Sequence, residues 1–323
     1  MTEHVLLAYT FHNGKAESLS GSAIAEQIKS TESLAWVHMD ANHADTKSWL
    51  EKEAQYLDPF IIEALLADET RPRMTQVGDG VLLILRGVNL NKDSDPEDMV
   101  SIRLWVDQYR IISLRRRKLK AIWDIDEKIK TGKVPKDAGH FVCMLVSRLF
   151  ERMEPVLSEL DELTDDVEEQ VLENADTSLR ESIVNVRKQA IMYRRYMAPQ
   201  RDAIGQLRLS DVEWLADTHK RQLQESHNHV TRYVEDLDAI RERAQIVKDE
   251  LANILSDRLN KNMYVLSVVA AIFLPLGFLT GLLGINVGGI PGADNGSAFW
   301  LFCGILASVV ALQVFVFKKL KWF

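Results

Sequence analysis

The chain has 323 residues, with 39 Lys and Arg against 47 Asp and Glu, a net charge of −8, and two cysteines. That length holds one or two domains with a sizeable core. The acidic balance argues against a nucleic-acid partner, and two cysteines, Cys143 and Cys303, make no disulfide framework. The slightly negative mean hydropathy is that of a soluble protein, but the apolar residues are concentrated at one end. No Asp, Glu, Lys, Arg or His occurs from Asn262 to Ala293, or again from Asn295 to Phe317. Residues 261–323 hold only Lys261, Lys318, Lys319, Lys321 and Asp294, so the first 260 residues carry 35 basic and 46 acidic groups.

In chain order, the opening residues Met1-Thr2-Glu3-His4 lack the basic start of a secretory signal. Residues 5–10 and 35–40 are short β-prone runs, and residues 45–57 and 58–67 read as helices. Residues 80–88, 99–106 and 110–114 are rich in Val, Ile and Leu and read as strands, with a hairpin turn at Asp107-Gln108-Tyr109. A helix over 118–130 ends near Gly132 and Pro135. Long helices follow. One covers 141–174 despite Pro155, and Ser178-Leu179-Arg180-Glu181 has the form of a capping box that starts another. A second such pattern, Ser210-Asp211-Val212-Glu213, opens a stretch without proline or glycine as far as Pro275. A helix over 210–284 would be about 110 Å long at ~1.5 Å per residue, which is a stalk continuing into a membrane. Its residues Val230, Tyr233, Leu237, Ile240, Ala244, Val247, Leu251 and Ile254 alternate spacings of three and four. Such a seam packs on another helix, either of the same chain or of another copy.

Each of the two charge-free stretches has the roughly 20 apolar residues that a membrane-spanning helix needs. Arg258 and Lys261 precede the first; Lys318, Lys319 and Lys321 follow the second; the connecting loop 287–297 has no Lys or Arg. The positive-inside rule then places both termini in the cytoplasm. Tyr264, Trp300 and Trp322 suit the membrane interfaces. The expected fold is an α+β cytoplasmic domain followed by long stalk helices and two C-terminal transmembrane α-helices. The divisions are a cytoplasmic α/β domain over 1–137, a long-helix stalk over 138–262, and a first transmembrane helix over 263–285. An outer loop over 286–298, a second transmembrane helix over 299–317 and a basic tail over 318–323 complete the chain.

A passive anchor needs only apolar residues, yet the first span carries Asn260, Asn262, Ser267, Pro275, Gly277, Thr280, Gly281, Gly284 and Asn286. Gly277 and Gly281 form a small-xxx-small pair. The second span is plainer, with Gly304 and Gln313 as its exceptions. Helical spacing groups Asn260, Met263, Ser267, Ala270, Leu274, Gly277 and Gly281 on one face as candidate pore-lining positions, with Met263 and Leu274 as hydrophobic constrictions. Two helices cannot enclose a polar path, so a pore requires several copies around a closed axis. Gly284-Ile285-Asn286 stands at the outer end, where amide and carbonyl oxygens can organise the water of a divalent cation without trapping it. The competing reading is an anchor whose small residues serve packing alone.

Gly284-Ile285-Asn286 resembles the Gly-Met-Asn signature of the CorA superfamily of metal-ion transporters, with Ile285 in place of Met. The residues that follow, Asn286-Val287-Gly288-Gly289-Ile290-Pro291-Gly292, resemble the ZntB branch of zinc transporters. So do Thr70-Arg71-Pro72-Arg73 and Arg194-Arg195-Tyr196-Met197-Ala198-Pro199-Gln200-Arg201-Asp202. The resemblance implies a funnel-shaped homopentamer in the bacterial inner membrane that moves Zn²⁺, with Cd²⁺, Ni²⁺ and Co²⁺ as further candidates. It implies proton-coupled uptake, with efflux by the same pore and a Mg²⁺/Co²⁺ channel as alternatives. The outer loop here has a single acid, Asp294, where the family's loop is typically acidic. Neither span contains His, Asp or Glu, so proton coupling is expected to use groups outside the bilayer, Asp294 among them.

Of the eight histidines, His140 lies three residues from Cys143, so the two could share a helix face as weak metal-ligand candidates. His227 and His229 are two apart and diverge on a helix. The acidic run Glu159–Glu173 is either a solvated helix face or a cation-attracting surface. Arg115-Arg116-Arg117-Lys118 suggests pairing with acidic helices of its own or a neighbouring subunit. No P-loop, G-x-S-x-G or H-E-x-x-H pattern occurs, and nothing in the sequence points to an enzyme or a bound cofactor.

Overall fold

The computed structural model describes residues 3–284, 292 and 295–319. Strands β1 (Val5–His12), β2 (Lys15–Ser18), β3 (Leu34–Asp40), β4 (Arg73–Val77), β5 (Gly80–Gly87), β6 (Val100–Val106) and β7 (Arg110–Arg115) form one sheet in the order β2-β1-β3-β7-β6-β5-β4. Only β3 and β7 pair in parallel. The central strands are buried on both faces, which is why they read as apolar runs rather than as alternating patterns. On one face, α1 (Ser22–Lys29), α2 (Ala44–Glu53) and α3 (Pro59–Leu66) set Ile24, Ile28, Leu50, Ile61 and Leu65 against Ala35, Val37, Met39, Ile112 and Leu114. Alternate residues of β3 face the other way. Trp36 meets Phe141 there, with ring centroids 4.8 Å apart.

Phe141 belongs to α5 (Ala138–Asn174), which follows α4 (Lys120–Lys130) and precedes α6 (Leu179–Leu209), α7 (Asp217–Gly284) and α8 (Ala298–Lys319). Two compact units result, Met1–Asp249 and Glu250–Phe323. Within the first, Val230, Tyr233, Leu237, Ile240, Ala244 and Val247 are buried by the same chain. Tyr233 meets Phe150 of α5 edge-on at 6.2 Å, and Asp238 accepts from Arg194 of α6 at 2.6 Å. The heptad seam therefore has an intrachain partner. Arg243 ties the same helix to the acidic run by pairing with Asp161 at 3.3 Å, Glu168 at 2.7 Å, and Asp165. The remaining five carboxylates of that run are exposed.

Three elements escape the sequence pattern. β2 is an edge strand with little buried surface, so it has no apolar periodicity. Its signal is Asn13-Gly14, both at positive φ (50° and 73°), as a two-residue hairpin turn demands. α1 hangs on Ile24 and Ile28 alone, and β4 is the opposite edge. Both presumed capping boxes are corrected. Ser178 is itself helical, at φ −64° and ψ −30°, and makes no side-chain cap; its N–H donates to Asp176 at 2.8 Å. Ser210 closes α6 instead of opening α7, its hydroxyl donating to the Leu207 carbonyl at 2.7 Å. The chain then turns through Val212, Trp214 and Leu215, all buried, before α7 begins. Burial of these three apolar side chains outweighs the local capping preference. The basic cluster pairs with loop acids instead of acidic helices: Arg116 with Asp68 at 2.7 Å, and Arg117 with Asp98. Arg115 lies over Trp123, 5.4 Å from the ring centroid.

Behind β3, His38 is fully buried and shares a 2.9 Å hydrogen bond between its Nδ1 and Ser113 Oγ, which also accepts from Trp36 Nε1 at 2.8 Å. Burial, and secondly the charge of Arg115, push its pKa down to about 3. The folded ring stays neutral while the unfolded one protonates below about pH 6.5. The unfolded state then binds more protons, so stability falls as pH drops from 6.5 towards 3. Thermal unfolding of the detergent-solubilised chain should show this loss, at up to about 1.4 kcal/mol per pH unit from this one group. His38→Gln should flatten the slope between pH 6 and 4; an unchanged slope would refute the assignment.

Candidate ion-conduction segment

The C-terminal part of α7 and the whole of α8 are long and apolar enough to cross a membrane. Only 6 % of the most apolar stretch of α7 is buried, and none of that of α8. A core helix of a soluble unit would be mostly covered.

Within the second unit, α7 has one covered side. Val268 is buried, and Ala271, Ile272, Leu276 and Leu279 are half-buried. These positions recur at three- and four-residue intervals, which makes one stripe at about 100° per residue. The predicted face of Asn260, Met263, Ser267, Ala270, Leu274, Gly277 and Gly281 lies on roughly the opposite side, and each of these residues is exposed. A Cβ added at Gly277, Gly281 or Gly284 would meet nothing within 4 Å. The small-residue pair is therefore not used against α8. Thr280 returns its hydroxyl to its own helix, donating to the Leu276 carbonyl at 2.9 Å.

The covered side contains a specific polar link. Pro275 has no N–H, so the carbonyl four residues earlier, that of Ala271, loses its intrahelical donor. Gln313 of α8 supplies the replacement: its Nε2 donates to the Ala271 oxygen at 3.2 Å. The one amide of the plainer span thus answers the one proline of the other. Proline-freed carbonyls in membranes are tolerated when a neighbour re-satisfies them in this way.

Gly284 is the last residue of α7; Ile285, Asn286 and Asp294 lie outside the described residues. His140 and Cys143 both lie on α5, and each makes a hydrogen bond of its own. His140 Nδ1 accepts from the Lys136 N–H at 3.1 Å, and Cys143 Sγ donates to the His219 carbonyl at 3.6 Å. Burial, with Asp137 nearby, pushes the Cys143 thiol up to about 12, away from the thiolate that metals bind. Burial also lowers the pKa of His140. A different trio, His4, His43 and Asp45, comes together without any local sequence signal, because β1 and the start of α2 meet only through β3. The two ZntB-like segments of the first unit also converge. Arg86 donates to the Thr70 carbonyl at 2.8 Å and lies over the Tyr196 ring, 4.1 Å from its centroid. Its backbone N–H donates to Gln200 Oε1 at 2.6 Å. Both segments thus serve a joint between the sheet and α6.

A family model described as "CorA-like Mg2+ transporter protein" matches residues 31–319. The chain belongs to the CorA-like family. Among curated relatives it is 39 % identical over 293 residues to "Divalent cation transporter CmaX" of Pseudomonas aeruginosa, covering 90 % of this chain and 88 % of that one. It is 34 % identical over 309 residues to "Zinc transport protein ZntB" of Yersinia enterocolitica, covering 96 % and 93 %. The solved full-length CmaX structure superposes with a TM-score of 0.86 at 37 % identity, over 99 % of this chain and 98 % of that chain. As a CorA-like chain with two membrane-crossing helices, it is a membrane protein.

Pro275 and Gln313 should be energetically coupled. In this CorA-like chain, Gln313→Leu should lower stability in detergent by about 0.5–2 kcal/mol. The same change should cost less once Pro275→Ala restores the intrahelical donor. A thermal-melt double-mutant cycle measures the coupling, and strict additivity would show that the link contributes nothing.

Proposed function

We propose that this CorA-like protein is a Zn²⁺ transporter of the bacterial inner membrane, acting as a homopentamer with both termini in the cytoplasm and coupling Zn²⁺ uptake to proton entry. The reading is carried by the exposed face of α7 that ends at Gly284 and lies opposite the α8-packed side. That face bears Asn260, Ser267 and three glycines alongside Met263 and Leu274. In the assembled ring it lines the pore, with α8 towards lipid. Gly277 and Gly281, which have open space around them in one chain, suit close approach to a second copy.

Zinc is favoured over magnesium by the uncharged Gly284-Ile285-Asn286 ring, by the nearly acid-free loop behind it, and by similarity to ZntB proteins along almost the whole chain. Further divalent ions, Cd²⁺, Ni²⁺ and Co²⁺, are included as substrates. The similarity to CmaX, named a divalent cation transporter, supports that breadth. Carboxylates or thiolates in the pore would hold Zn²⁺ more tightly and slow its release; this face has neither.

Purified protein in liposomes loaded with a Zn²⁺-sensitive dye should give protein-dependent Zn²⁺ entry, accelerated by an inwardly directed proton gradient. Flux of Mg²⁺ without Zn²⁺ would replace this reading with the magnesium-channel one, and absence of any divalent flux would remove both. Asp294→Asn with undiminished coupling would exclude that residue as the proton-linked group.

A further inference from the structure

Three residues far apart in sequence meet at the edge of the N-terminal unit. His4 immediately precedes β1, and its carbonyl accepts the Asp40 N–H at 2.9 Å, which holds it beside the end of β3. The chain turns at once into α2, with His43 as the N-cap residue and Asp45 in the first turn. One ring nitrogen from each histidine and one carboxylate oxygen of Asp45 lie within 4.8 Å of one another. Among the described residues this is the group of three potential ligands that meets that distance.

The details favour an ion over chance proximity. His4 is only 3 % exposed, and its Nε2 is buried with no hydrogen-bond partner. An orphaned imidazole nitrogen costs free energy unless something fills its lone pair or takes its proton. Trp49 walls the site, its ring centroid 6.0 Å from that of His4. His43 Nδ1 and the Asp45 carboxylate are 3.7 Å apart. Two ligands of a tetrahedral zinc-like ion are about 3.3 Å apart, given metal–ligand distances of about 2.0–2.2 Å. The widest pair must therefore close by about 1.5 Å, and Asp45, the exposed member, is free of the core packing that fixes His4.

We propose that His4, His43 and Asp45 bind a divalent transition-metal ion of the Zn²⁺ class, three protein ligands with water completing the tetrahedron. Two imidazoles and one carboxylate suit Zn²⁺, Co²⁺ or Ni²⁺ and are a poor set for Mg²⁺, which takes oxygen ligands at octahedral geometry. Binding through His43 Nδ1 exchanges its present 3.2 Å hydrogen bond from the Asp45 N–H for the metal. The other nitrogen, Nε2, then carries the proton; the exposed Glu3 carboxylate, 3.7 Å away, would have to move closer to accept it as an outer-shell partner. The ion would pin the residues ahead of β1 to the turn between β3 and α2. It is distinct from the membrane spans and does not rest on the zinc-transport reading.

The test is Co²⁺ titration of the full metal-free chain in detergent, followed by visible absorption. Wild type should bind one equivalent per chain with the intense bands of four-coordinate Co²⁺. Asp45→Ala and His43→Ala should each weaken that equivalent at least tenfold, and His4→Ala should remove it. Asp45 is exposed, so metal-free melting of Asp45→Ala should match wild type, which separates lost ligation from lost folding. Unchanged stoichiometry and bands in Asp45→Ala and His43→Ala would overturn the proposal. So would displacement of Co²⁺ by equimolar Mg²⁺.

Discussion

A helix in hydrocarbon has no water to complete its backbone hydrogen bonds. Pro275 removes one donor in the middle of the first span, and the freed Ala271 carbonyl must find another. Gln313 provides it. That bond lies on the covered side of α7, with Val268, Ile272, Leu276 and Leu279. Left exposed are large apolar side chains together with Asn260, Ser267, Gly277 and Gly281. The amide in the second span, which looks like an isolated blemish in a lipid-facing helix, is a structural partner.

The first unit is arranged by the same demand for satisfied polar groups, met with different chemistry. Behind β3, Ser113 serves Trp36 and His38 together, so a histidine sits in the core without charge. Along α7, one arginine holds three carboxylates of a run that would otherwise repel itself. Five acids of the run remain exposed. The solvated-face reading and the cation-attracting reading are thus both available to those five, while the other three are committed to packing α5 on α7.

Long-range organisation was legible because it rests on repetitive signals. Two charge-free stretches gave the spans, and the three-four spacing from Val230 to Val247 gave the buried seam. Local punctuation misled. The Ser210 pattern fits a helix start, yet burial of Val212, Trp214 and Leu215 holds the chain in a turn until Asp217. Edge strand β2 carries no apolar period because it is exposed on both faces, so only Asn13-Gly14 announces it. The open face of α7 was readable from helical spacing. Its relation to α8 was not, because it includes a hydrogen bond from Gln313 to the Ala271 carbonyl, 42 positions apart in the numbering. The trio of His4, His43 and Asp45 was illegible for the same reason, since only sheet pairing brings its members together.

Arg86 gives the motifs around Thr70 and Tyr196 a different meaning. Thr70, Tyr196 and Gln200 belong to the segments that make this chain look like a zinc transporter, and all three converge on that one arginine. They brace a strand against a helix. As a fingerprint, those segments report how the chain is braced: two chains could share both to the letter because both need the same joint between sheet and helix.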